Sequence, residues 1–566
     1  MFSKVNSLGL TGFKAELVEV EVDLTSGLPR FDLVGLPDSA VSEAKERVRS
    51  AIKNSGLDFP ISRITVNLAP AEFRKEGPIY DLPILIGILL ASKQLRADLS
   101  DSALVGEISL NGELRRINGV LPMTIGAKET GIKRIFVPAD NSAEASLIPG
   151  ISVYPVQNLQ ELLKFLQDGE EITPHFSTEF SHEKLFSFQN SFRRSLQKPS
   201  QKRQPDTDNP VNHVLESSQI DFADVVGQQA AKRALEVAAA GGHNILLIGS
   251  PGSGKSMMAK RLQTILPDMT FNEIIETTAV YSVAGKLSND IPIICQRPFR
   301  TPHHTASISS VTGGGRKALP GEIPLAHSGV LFLDEFPMFD RAVLEALRQP
   351  LEDLKITVTR NACTATYPAN IMLVAAMNPC PCGYLSDPQK PCTCSNHEKQ
   401  RYLSRISGPL LDRIDIAVQV DPVDCELIIE RHGKPSVLNE KPNSEISNSN
   451  LDIKTNAETS LEIRKRVIHA REIQLKRFGE SGITCNAEMS PAQVKKFCKL
   501  TETAQSLLLS AYKRLRFSAR VNDKILKTAR TIADLDGCEI ITETHIAEAI
   551  QYRSIDRMID IAKPQN

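Results

Sequence analysis

No apolar run in the sequence approaches the ~20 residues that a helix needs to cross a bilayer. The N-terminus, Met1-Phe2-Ser3-Lys4-Val5-Asn6, lacks the basic-then-apolar pattern of an export signal. Both absences point to a cytoplasmic protein with no membrane partner. Nor is there an excess of either charge: 66 Lys and Arg against 67 Asp and Glu give a net charge of −1. The chain as a whole is therefore not a polyanion binder, and any nucleic-acid contact has to come from local basic patches. In an unexported chain a disulfide framework is not expected, so the ten cysteines are free thiols or metal ligands. Internal repeats are missing too. What remains is an ordinary globular composition, 41% hydrophobic and 23% charged. At 566 residues the chain is too long for one core and calls for roughly three or four domains.

Val18, Val20, Val22 and Leu24 alternate with Glu19, Glu21 and Asp23, the period-2 pattern of a half-buried strand, and Ile64, Val66 and Leu68 repeat it. Between them, residues 39–55 place Ala40, Val41, Ala44, Val48, Ala51 and Ile52 at helical spacing. Residues 1–168 therefore read as an α+β domain. Residues 169–218 turn rich in Ser, Gln, Lys, Pro and Asp without sustained periodicity, as a flexible linker does. A second polar stretch occupies 433–460. Between the two, residues 219–432 carry an α/β pattern, and 461–566 are dominated by helical periodicity.

Ile245-Leu246-Leu247-Ile248 is a short continuous apolar run, the mark of a strand buried on both faces. Gly249-Ser250-Pro251-Gly252-Ser253-Gly254-Lys255-Ser256 follows at once, a full G-x-x-x-x-G-K-S. Glycines let backbone N–H groups converge on phosphate oxygens, and the helix expected over 257–266 presents the positive end of its dipole. In that arrangement Lys255 reaches the β- and γ-phosphates of ATP, and Ser256 ligates Mg²⁺. Val330-Leu331-Phe332-Leu333-Asp334-Glu335 is a second buried strand, ending in two acids. Asp334 fits Mg²⁺ positioning and Glu335 fits polarising the attacking water. A third strand, 371–375, leads to Met377-Asn378-Pro379, where Asn378 is placed to hold the lytic water. Turn chemistry is the other role open to an Asn-Pro pair.

Together these motifs resemble the AAA+ module of magnesium-chelatase-like ATPases. The resemblance extends to the ComM (also called YifB) subfamily through Arg297-Pro-Phe-Arg-Thr-Pro-His-His304, Gly313-Gly-Gly315, Pro320-Gly-Glu-Ile323, Leu325-Ala-His327, Gly408-Pro-Leu-Leu-Asp-Arg-Ile-Asp415 and Ser518-Ala-Arg520. It implies a P-loop α/β core followed by an α-helical lid, assembled as a homo-oligomer, a hexameric ring in the family's manner. It also implies that Arg413 is an arginine finger completing a neighbour's ATP site, and that Arg520 is the sensor 2 arginine of the lid. Surface ion pairs are the plainer role for both. An arginine finger counters charge that develops on the transferring phosphoryl group.

Residues 1–168 are similar to the proteolytic domain of Lon protease, an S5-like α+β fold, through Arg74-Lys-Glu-Gly-Pro-Ile-Tyr-Asp81 and Gly106-Glu-Ile-Ser-Leu-Asn-Gly112. Lon activates a serine nucleophile with a lysine. Ile79 and Leu121 stand at the aligned positions, so the resemblance implies a Lon-like shape without peptidase chemistry.

Cys380-Pro-Cys382, nine further residues, then Cys392-Thr-Cys394 place four thiols as two close pairs, which fits a tetrahedral structural Zn²⁺ site beside the sensor strand. Metal-free cytosolic thiols are the alternative. A hairpin expected over 355–366 matches the element with which this AAA+ branch lines a central pore. Lys286, Arg297, Arg300, His303, His304, Arg316 and Lys317 give the neighbouring insertion, 282–315 and just beyond, a basic excess suited to sequence-independent contact with DNA phosphates. The helix over 461–478 adds Arg464, Lys465, Arg466, Arg471, Lys476 and Arg477, most simply a solvated face. Two functions stay open: a motor that moves single-stranded or branched DNA, as in branch migration during natural transformation, and a protein- or metal-remodelling ATPase like magnesium chelatase.

Overall fold

The computed structural model describes residues 1–168, 172–174, 220–360, 363–385, 387, 390–422, 458–479, 481–515 and 519–553. The expected linker (169–218, apart from 172–174) and polar loop (433–460, apart from 458–460) lie outside them, as does Ser518.

Among the described residues, the N-terminal region forms a seven-stranded mixed sheet. Its order is Arg30–Val34, Arg63–Ala69, Lys14–Thr25, Phe2–Thr11, Ser102–Leu104, Arg134–Pro138, Ser152–Val156. The alternation read from the sequence decides which face is inward. Val18, Val20, Val22, Ile64, Val66 and Leu68 are all buried, and the antiparallel register sets Val20 beside Leu68 and Val22 beside Val66. Full burial of each such side chain contributes about 1.5–3 kcal/mol. The helix expected over 39–55 is two helices, Ser39–Ser42 and Ala44–Asn54, separated at Glu43. Val41, Ala44, Val48, Ala51 and Ile52 face the core as their spacing requires, while Ala40, in the short first helix, is only half-buried.

A second sheet is parallel throughout, in the order Phe299–Arg300, Gly329–Leu333, Ile371–Met377, Ile245–Gly249, Ile416–Val420. The strands Gly329–Leu333, Ile371–Met377 and Ile245–Gly249 are buried on both faces, which is why they read as continuous apolar runs. Because parallel strands all end at one edge, the loops after Gly249, Leu333 and Met377 converge there, where open α/β sheets bind their ligands. The opposite edge carries the segments that enter the strands, including Arg413 just before Ile416–Val420.

The C-terminal region is helical as expected: Ser460–Phe478, Pro491–Phe497, Glu502–Leu515, Ala519–Leu535 and Glu543–Gln551. The basic helix Ser460–Phe478 is a docking element. Arg464 pairs with Asp268, Arg466 with Glu236 and Glu458, Arg477 with Asp534, and Arg471 donates to the Ala239 carbonyl at 3.0 Å. Only Lys465 and Lys476 of the six cations read from the sequence stay exposed. The simple solvated-face reading therefore fails for the other four, because composition shows the charges and not the acids that meet them.

The two sheets are joined through the helix Phe271–Val283. Ser282 Oγ donates to Glu144 at 2.5 Å and the Gly119 N–H donates to Ser282 Oγ at 3.1 Å, all in buried surroundings. Phe13, in the turn after the first strand, meets Tyr367 edge-on at 5.9 Å. Tyr367 belongs to the hairpin of Lys355–Arg360 with Cys363–Pro368, so the N-terminal unit touches the element expected to line a pore.

Candidate active site

The phosphate loop leaves the central strand at Gly249, where a Cβ would lie 2.2 Å from the Val420 carbonyl oxygen; only glycine fits so close an approach. The loop turns through Gly252 and Gly254 and opens the helix Lys255–Ile265, one to two residues earlier than its apolar spacing suggests. Lys255 Nζ donates to the carbonyls of Gly249 (2.9 Å) and Ser250 (2.8 Å) and to Asn378 Oδ1 (3.3 Å). Burial pulls its ammonium below the ordinary lysine range, and Asp334 opposes that shift. Ser256 Oγ donates to Asp334 Oδ2 at 2.6 Å. The loop, the strand end carrying Asp334 and the strand end carrying Asn378 thus meet as one cluster. A glycine-rich turn on a helix N-terminus, a lysine, and a hydroxyl beside a carboxylate form a donor set that fits a nucleoside triphosphate with Mg²⁺.

Glu335 sits apart from this cluster. Its backbone is left-handed, at φ 52° and ψ 44°, and its side chain is exposed. Its carboxylate lies 3.5 Å from His304 Nδ1. Tyr402 lies beside Asn378; burial pushes its phenol up to about 12, and the Asn378 backbone opposes that shift.

The four cysteines come together. Cys380 Sγ lies 3.4 Å from Cys382 Sγ and 3.7 Å from Cys392 Sγ, Cys382 and Cys392 are 3.6 Å apart, and all four sulfurs, Cys394 included, fall within 4.8 Å of one another. Zinc–sulfur bonds of about 2.3 Å put the sulfurs of a tetrahedral site about 3.8 Å apart, so the spacing fits Zn²⁺. The N–H of Tyr384 draws the Cys382 thiol down to about 6 despite some burial. The same loop packs on the phosphate loop: a Cβ on Gly383 would meet Pro251 Cδ at 2.5 Å.

Arg413 and Arg520 do not approach their own phosphate loop. Both line a cleft of about 590 Å³ at the opposite edge of the parallel sheet, together with Glu352, Asp412, Lys524 and Lys527, and no residue of the phosphate loop lines it. A five-residue strand separates the two edges by roughly 15 Å. Arg413 pairs with Glu352 and donates to the Pro409 carbonyl at 2.7 Å. Its backbone is pinned by Asn244, which donates to the Arg413 carbonyl at 3.0 Å and accepts from the Leu373 N–H at 2.8 Å. Arg520, at the start of Ala519–Leu535, is exposed.

With this geometry in view, comparison with known proteins is decisive. The family "magnesium chelatase, subunit ChlI" matches residues 221–428, "subunit ChlI of Mg-chelatase" matches 20–141, and the ChlI C-terminal family matches 457–553. The chain is 40% identical to the competence protein ComM of Haemophilus influenzae over 556 residues, covering 98% of each. It is 39% identical to the YifB protein of Escherichia coli K12 over 558 residues, again 98% of each. The chain belongs to the ComM/YifB family. Lon protease of Acinetobacter baumannii is 28% identical over 172 residues, which covers 28% of this chain and 21% of that protein.

In this ComM/YifB-family chain Ile79 and Leu121, which the Lon resemblance sets at the dyad positions, are apolar and buried. Ile79 lies in the turn Pro78–Tyr80 and Leu121 in the helix Val120–Glu129. Neither attacks a carbonyl or takes up a proton. The basic insertion is reshaped by the structure. Arg297 is held by Glu273 at 2.8 and 3.0 Å and by the carbonyls of Pro267 and Ser328, and Arg300 by Glu322 at 2.6 and 2.9 Å. These two bidentate pairs hold the insertion's base and are withdrawn from the DNA-contact set, whereas Arg316 and Lys317 stand exposed at its tip. Two contacts escaped the sequence reading, His304 with Glu335 and Gly383 with Pro251. The adjacent histidines were the only signal for the first, and they read there simply as positive charge.

Proposed function

We propose that this chain hydrolyses ATP within a homo-oligomeric ring, hexameric as the resemblance implies, and uses it to move branched or single-stranded DNA as a branch-migration helicase in recombination and natural transformation. The observation that carries the ring is the placement of Arg413 at the sheet edge opposite its own phosphate loop. A head-to-tail neighbour brings that edge to a phosphate loop, and such heterologous contacts close into rings. Arg520 lines the same cleft and reaches the same neighbouring site. Lys255 and the loop N–H groups bind the phosphates, and Ser256 and Asp334 would hold Mg²⁺, which neutralises phosphate charge when bound. Asn378 and Glu335 orient and polarise the attacking water. The N-terminal domain keeps a Lon-like shape and does no proteolysis.

The DNA reading rests on the exposed Arg316 and Lys317, on the hairpin beside them, and on the relative named a competence protein. Four-way or single-stranded DNA should stimulate turnover. Replacing both Arg316 and Lys317 with Ala should weaken DNA binding at every sequence and lower the salt slope by about 2. The three chelatase-subunit matches favour a second reading, a remodelling ATPase without DNA translocation. That reading is left standing if no DNA alters turnover or assembly.

The four cysteines hold structural Zn²⁺ in this proposal and stiffen the loop against Pro251. Metal analysis of the purified chain should find about one zinc per chain, and Cys382→Ser with Cys392→Ser should drop it below about half. The same variant should raise KM for ATP more than it lowers kcat, because it loosens the phosphate loop. A full-length wild-type chain with less than about half an equivalent removes the zinc assignment.

A further inference from the structure

We propose that Lys524 and Asp415 are a positioning pair that ties the lid helix to the Arg413 loop, so that Arg413 and Arg520 meet a neighbour's nucleotide as one unit. The proposal rests on the reading of Arg413 as an arginine finger given above. The guanidinium of Arg413 is paired with the exposed Glu352, a contact it gives up when a phosphate arrives. What stays in place is the backbone after it. Asn244 donates its N–H to Asp415 Oδ2 at 3.2 Å and accepts the Asp415 N–H at 3.0 Å. From the lid, Lys524 Nζ lies 3.0 Å from Asp415 Oδ1 and donates to the Ile414 carbonyl at 3.1 Å. The same carbonyl accepts from Arg553 at 2.8 Å. His243, fully buried, sets Nδ1 3.5 Å from Asp415 Oδ2 and Nε2 2.8 Å from Thr531 Oγ1. The lid helix Ala519–Leu535 thus grips the residues that follow the finger at two points, directly through Lys524 and through His243 at Thr531.

Arg520 stands four residues before Lys524, about 6 Å along the helix axis and on the same face. Both line the cleft that holds Arg413. The Lys524 and Asp415 side chains are only 15% and 12% exposed. Burial opposes ionisation of Asp415, yet Lys524 and His243 hold its carboxyl well below the usual carboxylate range. Desolvation offsets much of what a buried ion pair gains, so such a pair adds little net stability while demanding close geometry. That geometry is what a finger needs, since a misplacement of about 1 Å at a reacting centre can cost roughly 100-fold in rate. The pair sets where the finger loop sits against the lid, and with it the distance between the two arginines offered to the next subunit.

The test uses the full chain. Lys524→Met combined with Asp415→Asn removes both charges, so neither is left buried and unpaired. ATP binding and ring assembly should match wild type, because the phosphate loop lies at the other edge of the sheet, while kcat falls about 10–100-fold. Mixing then gives the direction. The pair variant should regain activity with Glu335→Gln, whose Arg413 loop is intact. It should regain none with Arg413→Ala, because every finger in that ring is defective. Adding Arg413→Ala to the pair variant should cost no more than Arg413→Ala alone. Wild-type kcat in the pair variant overturns the proposal. Loss of ATP binding, or recovery on mixing with Arg413→Ala, also overturns it, by placing the defect in the variant's own ATP site. If Arg413→Ala itself turns over at the wild-type rate, the finger reading falls and takes the proposal with it.

Discussion

Replacing Glu335 with Gln is expected to slow hydrolysis by about 10²–10⁴-fold, the range for loss of a positioned general base, while ATP still binds and rings still assemble. Binding survives because the proposed phosphate contacts are Lys255, the loop N–H groups and the Ser256–Asp334 pair, none of which touches the Glu335 carboxylate. Folding survives because that side chain is exposed and the substitution keeps its shape. Equilibrium ATP binding, sizing with and without nucleotide, and single-turnover hydrolysis check the three parts separately. Wild-type turnover would show that another group polarises the water. Loss of ATP binding would show that Glu335 belongs to the phosphate contacts, against the geometry.

Replacing Arg413 with Ala is expected to lower kcat by about 10³–10⁵-fold, the span for removal of an arginine finger. The distinctive expectation is complementation. Glu335→Gln and Arg413→Ala are each close to inactive, yet in a mixed ring some interfaces join the intact Glu335 of one chain to the intact Arg413 of the next. Random mixing in equal amounts makes about a quarter of head-to-tail interfaces whole, so activity should return on mixing. An arginine acting within its own chain gives no recovery. Within one chain Arg413 is occupied by Glu352, a carboxyl that this pairing holds below its usual range. Assembly has to exchange that partner for a phosphate.

The clustering of Lys255, Ser256, Asp334 and Asn378 was legible because the candidate site is written in short contiguous strings. A glycine loop after an apolar run, and two acids after another, each carry their own local geometry, and the parallel sheet brings their ends together. Period-2 alternation likewise named the buried faces of the strands around Val20 and Val66. What stayed hidden joins distant segments. Arg297 and Arg300 looked like free cations because nothing near them in sequence announces Glu273 or Glu322. The break at Glu43 is a local turn inside a pattern whose spacing suits one continuous helix equally well. The packing of Gly383 on Pro251, and of His304 against Glu335, follows from the path of loops, which periodicity does not encode.

The most direct test of the central claim is branch migration on a synthetic four-way junction, with Glu335→Gln as the control. The proposed motor resolves the junction into its duplex products when ATP and Mg²⁺ are present, and the Glu335→Gln ring binds the junction without moving it. ATP hydrolysis that neither responds to the junction nor alters it would contradict the DNA motor, leaving this chain a ring ATPase that acts on another substrate.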